Sequence, residues 1–313
     1  MPVSMKEEIE GFLFHCEYEK NLSTKTLKAY SIDLNQFSRF LHTQNEVYTH
    51  AADINKEVLK TYVVHLNKVY AIKSVKRKIA TLKALFNYLE FDDKITVNPF
   101  RKIRLQLKEP FRLPSVLDLT EVQAIFRTIY TRKRRIANKH SYAYKTTLRD
   151  IAIIELLFAT GIRVGELCSL SVSNINLEQG FIKVHGKGSK ERIIQLCHHE
   201  LLHSLRTYKQ LRNSTNPYFF LNRLEKPISE QSVRFMVKRY VAQANITKSI
   251  TPHSFRHTFA TMLLEEDVDI KYIQNIFGHS SIVTTQIYTH VNNKKQKEIL
   301  ALKHPRNRLK VVS

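Results

Sequence analysis

Apolar residues recur at three-and-four spacing three times over in the first hundred residues, and Asn98-Pro99 then cuts the repetition. The first pattern follows Ser23, a good N-cap, with Leu27, Tyr30, Leu34, Phe37 and Leu41 on one face. The second spans Asn55 to Lys68, with Val58, Tyr62 and Leu66 inward, and the third carries Val75, Ile79, Leu82, Phe86 and Leu89. Amphipathic helices of this kind must pack on one another, so the opening region reads as a small helical domain. Pro110 and Pro114 bias their neighbours away from helix, and Asp118-Leu119-Thr120-Glu121 starts a new helix with acids in its first turn. The expected organisation is a small helical domain over 1–105, a basic linker over 106–117 and a larger domain over 118–313.

The larger domain mixes element types. Leu148–Phe158 reads as a buried helix that ends at Ala159-Thr160-Gly161, with the glycine as C-cap. Residues 180–184 and 192–196 read as two short strands around a turn with the sequence His185-Gly186-Lys187-Gly188-Ser189-Lys190-Glu191. Pro252 opens another helix, with Phe255, Phe259, Met262 and Leu263 on its apolar side. The fold class expected is mainly α with a small β-sheet, in a two-domain clamp.

A net charge of +22 and a pI near 9.8 call for a polyanionic partner. No apolar run approaches membrane-spanning length, which favours nucleic acid over a lipid surface and a cytoplasmic, nucleoid-associated protein. Cys16, Cys168 and Cys197 are too few and too far apart for a disulfide framework or a zinc site. Cys197-His198-His199 and His253-x-x-x-His257 lack the spacing or the glutamate of a metal motif, so no metal or other cofactor is expected.

Lys73, Lys76, Arg77, Lys78 and Lys83 lie off the apolar face of the third helix, with hardly an acid to offset them. A solvated face would look the same, but the charge imbalance favours phosphate contacts that hold duplex DNA without reading its sequence. Residues 131–145, dense in charge with interleaved tyrosines, read either as a surface loop or as an extra DNA contact. The tail after Asn292 is basic yet carries Ile299, Leu300, Leu302, Leu309 and Val311, which suits docking as well as fraying.

One set of residues suits attack on a phosphodiester. Arg163 and Arg256 are planar, permanent cations able to grip non-bridging oxygens as charge develops. Lys187, on the two-glycine turn, could protonate the leaving oxygen, since neighbouring arginines lower an ammonium pKa. His253 and His279 could hydrogen-bond phosphate or move protons, and Tyr288 could be the nucleophile, its phenolate favoured by nearby cations. Each has a plainer reading. Arg163 could merely pair with Glu166 a turn away, His253 could be a cap, His279 turn chemistry and Tyr288 one more packed tyrosine.

Together these residues resemble the tyrosine recombinases, or phage-type integrases. Ala159-Thr160-Gly161-Ile162-Arg163-Val164-Gly165-Glu166-Leu167 is similar to the family's first arginine motif, and Gly186-Lys187-Gly188 to its hairpin lysine. His253-x-x-Arg256 matches its HxxR motif, and Gly278-His279 followed by Tyr288 matches its closing motif. Leu22-Ser23-Thr24-Lys25-Thr26-Leu27 with Tyr30 and Asp33-Leu34 resembles its N-terminal core-binding domain. The resemblance spans nearly the whole chain and points to the Xer-like branch. Only 131–145 looks like an insertion.

The resemblance implies a C-shaped clamp, a homotetramer on two DNA sites, and sequential strand exchange through a 3′-phosphotyrosyl intermediate and a Holliday junction. It implies that Glu166 supports the site from behind, and that a C-terminal segment docks on a neighbouring protomer. Lys190 stands in reserve for Lys187, and a partner recombinase or directionality factor could be required. The biological setting would be integration and excision or chromosome-dimer resolution. A type IB topoisomerase would share the chemistry but not the N-terminal motif. A non-catalytic accessory protein would not need a complete set, and a metal-dependent nuclease would need clustered carboxylates.

Overall fold

A computed structural model describes residues 4–44, 48–108, 115–185, 191–212, 214–277 and 300–308. The chain divides into two compact units, Met1–Arg112 and Leu113–Ser313.

The first unit is helical. It contains α1 (Met5–Phe14), α2 (Thr24–His42), α3 (Lys56–Val69) and α4 (Ile72–Phe91). The three helices expected from periodicity are α2, α3 and α4. Ser23 caps α2 by accepting from Thr26 N–H, and Asn55 caps α3 by accepting from Glu57 and Val58 N–H. Their inward faces merge in a core where Leu34, Phe37, Tyr62, Val75, Leu82, Phe86 and Leu89 are almost completely buried. Capping satisfies helix ends locally, and the shared core supplies most of the stabilisation.

The basic face of α4 is partly neutralised inside this unit. Lys78, expected on the cationic outer face, is instead buried, because it donates to Asp33 Oδ1 at 2.9 Å and to Gln36, with its ammonium 4.7 Å from the centre of the Tyr70 ring. Arg77 also pairs with Asp33, and Thr81 Oγ1 donates to it at 3.2 Å. Lys73 and Lys83 are exposed, and the Lys83 ammonium lies 5.9 Å from the Phe100 ring centre.

The second unit begins with α5 (Leu119–Arg135) and α6 (Tyr142–Thr160), followed by the single turn α7 (Val164–Cys168). A three-stranded antiparallel sheet follows, ordered β1 (Ile175–Asn176), β2 (Phe181–His185) and β3 (Glu191–Gln195). Helices α8 (His199–Leu211), α9 (Glu230–Gln243), α10 (Pro252–Glu265) and α11 (Ile270–Phe277) complete the described fold. Mainly helical structure with a small sheet is the class expected.

Residues 131–145 are not a loop inserted between elements. They are the last turn of α5, the short connection 136–141 and the first turn of α6, which begins six residues before the predicted start of its buried segment. Arg132, Lys133, Arg134 and Arg135 close α5, where cations face the negative end of the helix dipole. Ser141 caps α6 by accepting from Tyr144 N–H.

Helix α6 is the axis of the unit. From Ile151 to Thr160 every residue is buried, so it is packed on all sides rather than along one stripe. Residues 300–308 pack on this same unit. Leu300 joins the cluster of Phe259, Leu263, Val268, Ile273, Ile276 and Phe277. Arg306 is 1% exposed and donates to Glu155 on α6 at 3.0 and 2.9 Å, with Tyr130 OH donating to the same carboxylate. Of the apolar tail residues, Leu300 is thus in its own core and Leu302 is exposed, while Ile299, Leu309 and Val311 lie outside the described residues.

Candidate active site

The described part of the candidate site forms where the end of α6, α7, β3 and the start of α10 meet. Gly161 ends α6 with φ +59°, a left-handed conformation that glycine adopts without steric cost. A β-carbon there would also lie 2.6 Å from the Phe277 ring, so any other residue both strains the backbone and displaces α11. The sharp turn leaves the Gly161 carbonyl facing α10 and puts Arg163 at the N-cap of α7.

Glu166 is the pivot. Its Oε2 accepts from the Arg163 backbone N–H at 3.1 Å, and its Oε1 accepts from the Arg163 guanidinium at 2.8 Å. Arg192 of β3 grips the same carboxylate with two parallel bonds, Nη1 to Oε1 at 2.8 Å and Nη2 to Oε2 at 2.7 Å. Such a fork-on-carboxylate pair fixes geometry as well as charge. Burial alone would raise the Glu166 pKa, but the bonds and charge of Arg192, then of Arg163, outweigh it and hold the carboxyl below its ordinary range.

Arg192 was not among the residues singled out from sequence. It stands opposite Val184 in the sheet and, at strand period two, on the same face as the buried Ile194. A cation in line with Ile194 and Leu196 was the available signal, because a charge on the apolar face of a strand demands a partner. Its Nε is buried without a hydrogen-bond partner.

Helix α10 starts on a reciprocal cap between Thr251 and Ser254, with Pro252 in its first turn. Arg256 is 6% exposed and reaches across to the end of α6. It donates from Nη1 to Gly161 O at 2.7 Å and from Nη2 to Phe277 O at 2.9 Å, with its guanidinium 3.9 Å from the centre of the Phe277 ring. Burial first, then the positive charges of Arg163 and Arg192, press its pKa down to about 9, which still leaves it charged at neutral pH.

His253 is exposed on the first turn of α10. Loss of surrounding water and then the charges of Arg256, His257, Arg234 and Arg163 lower its pKa below 6.5, so the ring is neutral at pH 7. A neutral imidazole donates at one nitrogen and accepts at the other.

Arg163, Glu166, His253 and Arg256 are therefore brought into one electrostatic neighbourhood, with Arg192 added to them. Arg163 does pair with Glu166, as its plainer reading held, and its side chain remains 35% exposed at the same time. Lys187, His279, Tyr288 and the reserve Lys190 lie outside the described residues. Among the described residues no group of three or more His, Cys, Asp or Glu side chains could hold a metal ion, and no helix is long and apolar enough to cross a membrane.

What this arrangement can do is concentrate positive charge at fixed points. Three guanidiniums gather around one buried carboxylate, held by carbonyls and a carboxylate before any substrate arrives. Donors fixed in advance and aimed at developing charge are a large source of rate acceleration.

Comparison with known proteins agrees with that reading. The phage integrase family model matches residues 116–295, and the model of the phage integrase N-terminal SAM-like domain matches 9–91. A tyrosine recombinase of Agathobacter rectalis is 46% identical over 306 residues, covering 97% of this chain and 98% of the relative. The tyrosine recombinase XerD of Staphylococcus saprophyticus is 36% identical over 305 residues, covering 95% and 98%. In fold, the chain is similar to XerH site-specific recombinase bound to its difH substrate, with TM-score 0.67, 20% identity and coverage of 96% and 83%. It is also similar to a lambda integrase tetramer bound to a Holliday junction, with TM-score 0.68, 20% identity and coverage of 91% and 80%. With both family models matched along the chain and relatives this similar over nearly their full length, the chain belongs to the phage integrase family and is a tyrosine site-specific recombinase of the Xer-like branch.

Proposed function

We propose that Tyr288 attacks a DNA phosphodiester, forming a 3′-phosphotyrosyl link and releasing a 5′-hydroxyl. The ester keeps the energy of the broken bond, so a second 5′-hydroxyl can displace Tyr288 and reseal the strand without ATP. Arg163 and Arg256 neutralise the non-bridging oxygens, and Arg192 and Glu166 hold Arg163 in place. Lys187 protonates the leaving oxygen, neutral His253 donates to a phosphate oxygen or exchanges a proton, and His279 has the same task. The observation that carries this reading is the gathering of three guanidiniums about one buried carboxylate next to His253.

The N-terminal unit, taken as 1–105, and the catalytic unit, taken as 118–313, would close on duplex DNA as a clamp joined by the basic segment 106–117. Lys73, Lys76, Arg77 and Lys83 would meet phosphates, Arg77 least of them because Asp33 already pairs with it. Four protomers would exchange strands in turn through a Holliday junction, in keeping with the DNA-bound assemblies in which similar folds are solved. In some settings a partner recombinase or a directionality factor would join them, at the nucleoid. The task would be integration and excision of an element, or resolution of chromosome dimers.

The test is a suicide duplex nicked beside the scissile phosphate, built from repeats flanking the gene or from the host's chromosomal recombination site, incubated in EDTA. A denaturant-resistant protein–DNA adduct from the wild type and none from Tyr288→Phe is the expected outcome. An adduct that persists in Tyr288→Phe would sink the nucleophile assignment. Binding without any adduct would favour a non-catalytic role.

A further inference from the structure

The corner between α5 and α6 borders a second concentration of positive charge, at the end of α6 opposite Arg163. The start of α6, the end of α8 and the 221–225 turn enclose a cleft of about 170 Å³. Its lining carries four cations, Lys145, Arg149, Arg212 and Arg223, against one carboxylate, Glu225.

Two of the cations are fixtures. Arg149 donates to Asp150 Oδ1 and to Leu221 O, and Arg212 donates to the carbonyls of Ser214, Asn216, Tyr218 and Phe219. Asp150 meets the charge of Arg149, whereas Arg212 is held by neutral carbonyls alone and gives the floor its fixed positive charge. The other two are at the mouth. Lys145 is exposed and has no ion pair among the described residues, and the exposed Arg223 lies over the Tyr142 ring at 5.8 Å. Thr146, also in the lining, has a buried hydroxyl with no hydrogen-bond partner.

A mobile ammonium, an exposed guanidinium and a spare hydroxyl over a fixed cationic floor match the oxygens of a phosphate. The cleft is smaller than the pockets that enclose drug-sized ligands, which run from about 300 Å³ upward. Nearby cations extend along the end of α5 through the exposed Arg134 and Arg135, and on to Lys139. A small pocket beside a track of charge fits an extended polyanion better than a free small molecule.

We propose that this cleft seats a backbone phosphate of duplex DNA, as a second anchoring point on the catalytic unit. The inference rests on the recombinase reading for its choice of DNA. Helix α6 has 19 residues, so the cleft and the arginine cluster are about 28 Å apart along its axis. The contact positions the DNA and reads no bases.

The experiment measures binding of the full chain to a generic 40-base-pair duplex at several salt concentrations, for wild type and for Lys145→Ala/Arg223→Ala. Each phosphate neutralised contributes about 0.9 to the log–log salt slope, so the double variant should show a slope shallower by about one to two. Lys145→Arg/Arg223→Lys should restore it. A thermal melt without ligand, unchanged in the double variant, excludes misfolding, since both side chains are exposed. A second arm adds inorganic phosphate and follows the melting midpoint. A shallower slope with no phosphate-induced shift in the wild type supports the proposal. An unchanged slope overturns it, and a phosphate shift lost in the variant would then mark a small-anion site instead. Binding slopes need no cleavage, so this test can fail while the covalent-adduct test succeeds, and the reverse.

Discussion

Asp33 in the first unit and Glu166 in the second are both buried carboxylates that hold two cations, yet their surroundings differ. At Asp33, Lys78 is 3% exposed in its side chain and is enclosed with the carboxylate by Gln36, Thr81 and Tyr70, while Arg77 pairs from outside with its side chain 47% exposed. The buried Asp33–Lys78 pair is closed off from solvent and ties α2 to α4. At Glu166, Arg192 is held by two parallel bonds, while Arg163 remains one-third exposed and Arg256 lies close enough for its charge to be felt. The carboxylate there orients cations without cancelling them. The same residue types therefore build a brace in one unit and a positive centre in the other. What separates the two is the number of cations about the acid: each keeps one partly exposed arginine, but a third cation, Arg256, stands near Glu166.

Removing a cation from the positive centre should have the largest effect. Arg256→Ala is expected to slow single-turnover adduct formation by about a hundredfold or more, with DNA binding largely kept. Asp33→Ala should leave the rate per bound complex within a few fold, because Asp33 touches no group of the site. Arg256→Ala cleaving at the wild-type rate would reduce Arg256 to a packing residue, and the comparison would break.

Stability comes next. Removing one member of a buried pair strands the other, at a cost of about 3–5 kcal/mol. Both Glu166→Ala and Asp33→Ala should therefore lower the denaturation midpoint, but only Glu166→Ala should also slow cleavage under conditions where the protein is folded. Equal loss of cleavage in the two variants, after correction for folded fraction, would erase the distinction drawn here.

A pH titration sharpens the comparison. The Glu166 pKa is lowered from its ordinary value of 4.5. The stability this contributes is fully present above that pH and is lost as pH falls through the lower folded value. Glu166→Gln should flatten that part of the stability–pH curve below about pH 4.5, as read by denaturant midpoints. A curve for Glu166→Gln that still falls as steeply as the wild type would show that other carboxylates dominate acid unfolding.

The smallest effect concerns the face of α4. Lys73→Ala or Lys83→Ala should each reduce the salt slope of DNA binding by up to about 0.9, whereas Arg77→Ala should change it less, because Asp33 already meets that charge. The larger loss falling on Arg77 would mean that the pair opens on DNA.

The helices α2 and α3 and the starts of α5 and α10 were legible because each declares itself within a few residues, through a cap and a repeated apolar spacing, and α4, which has no capping side chain, through its spacing alone. Gly161 was legible as a helix stop for the same reason. The sequence leaves 131–145 undecided because charged residues serve equally well in loops and at helix C-termini. The end of α5 needs its dipole partner and its packed face to decide the matter. Arg192 was missed because its partner, Glu166, is 26 positions away, a distance that periodicity cannot bridge. The tail posed a harder case. Its apolar residues showed that something would cover it, while the pairing of Arg306 with Glu155, 151 positions earlier, exists only in the folded chain.

The sequence by itself determined that this chain is basic, mainly helical and divided by prolines, and that it carries the arginine, lysine, histidine and tyrosine motifs of a recombinase. These are local properties, written in charge, spacing and turn residues. Tertiary structure decided which cations are neutralised and which are kept in reserve. It gave Arg77 and Lys78 to Asp33, and set Arg163, Arg192 and Arg256 around Glu166. The reason is physical: a charge acquires its meaning from the groups within a few ångströms of it, and those groups come from distant parts of the chain.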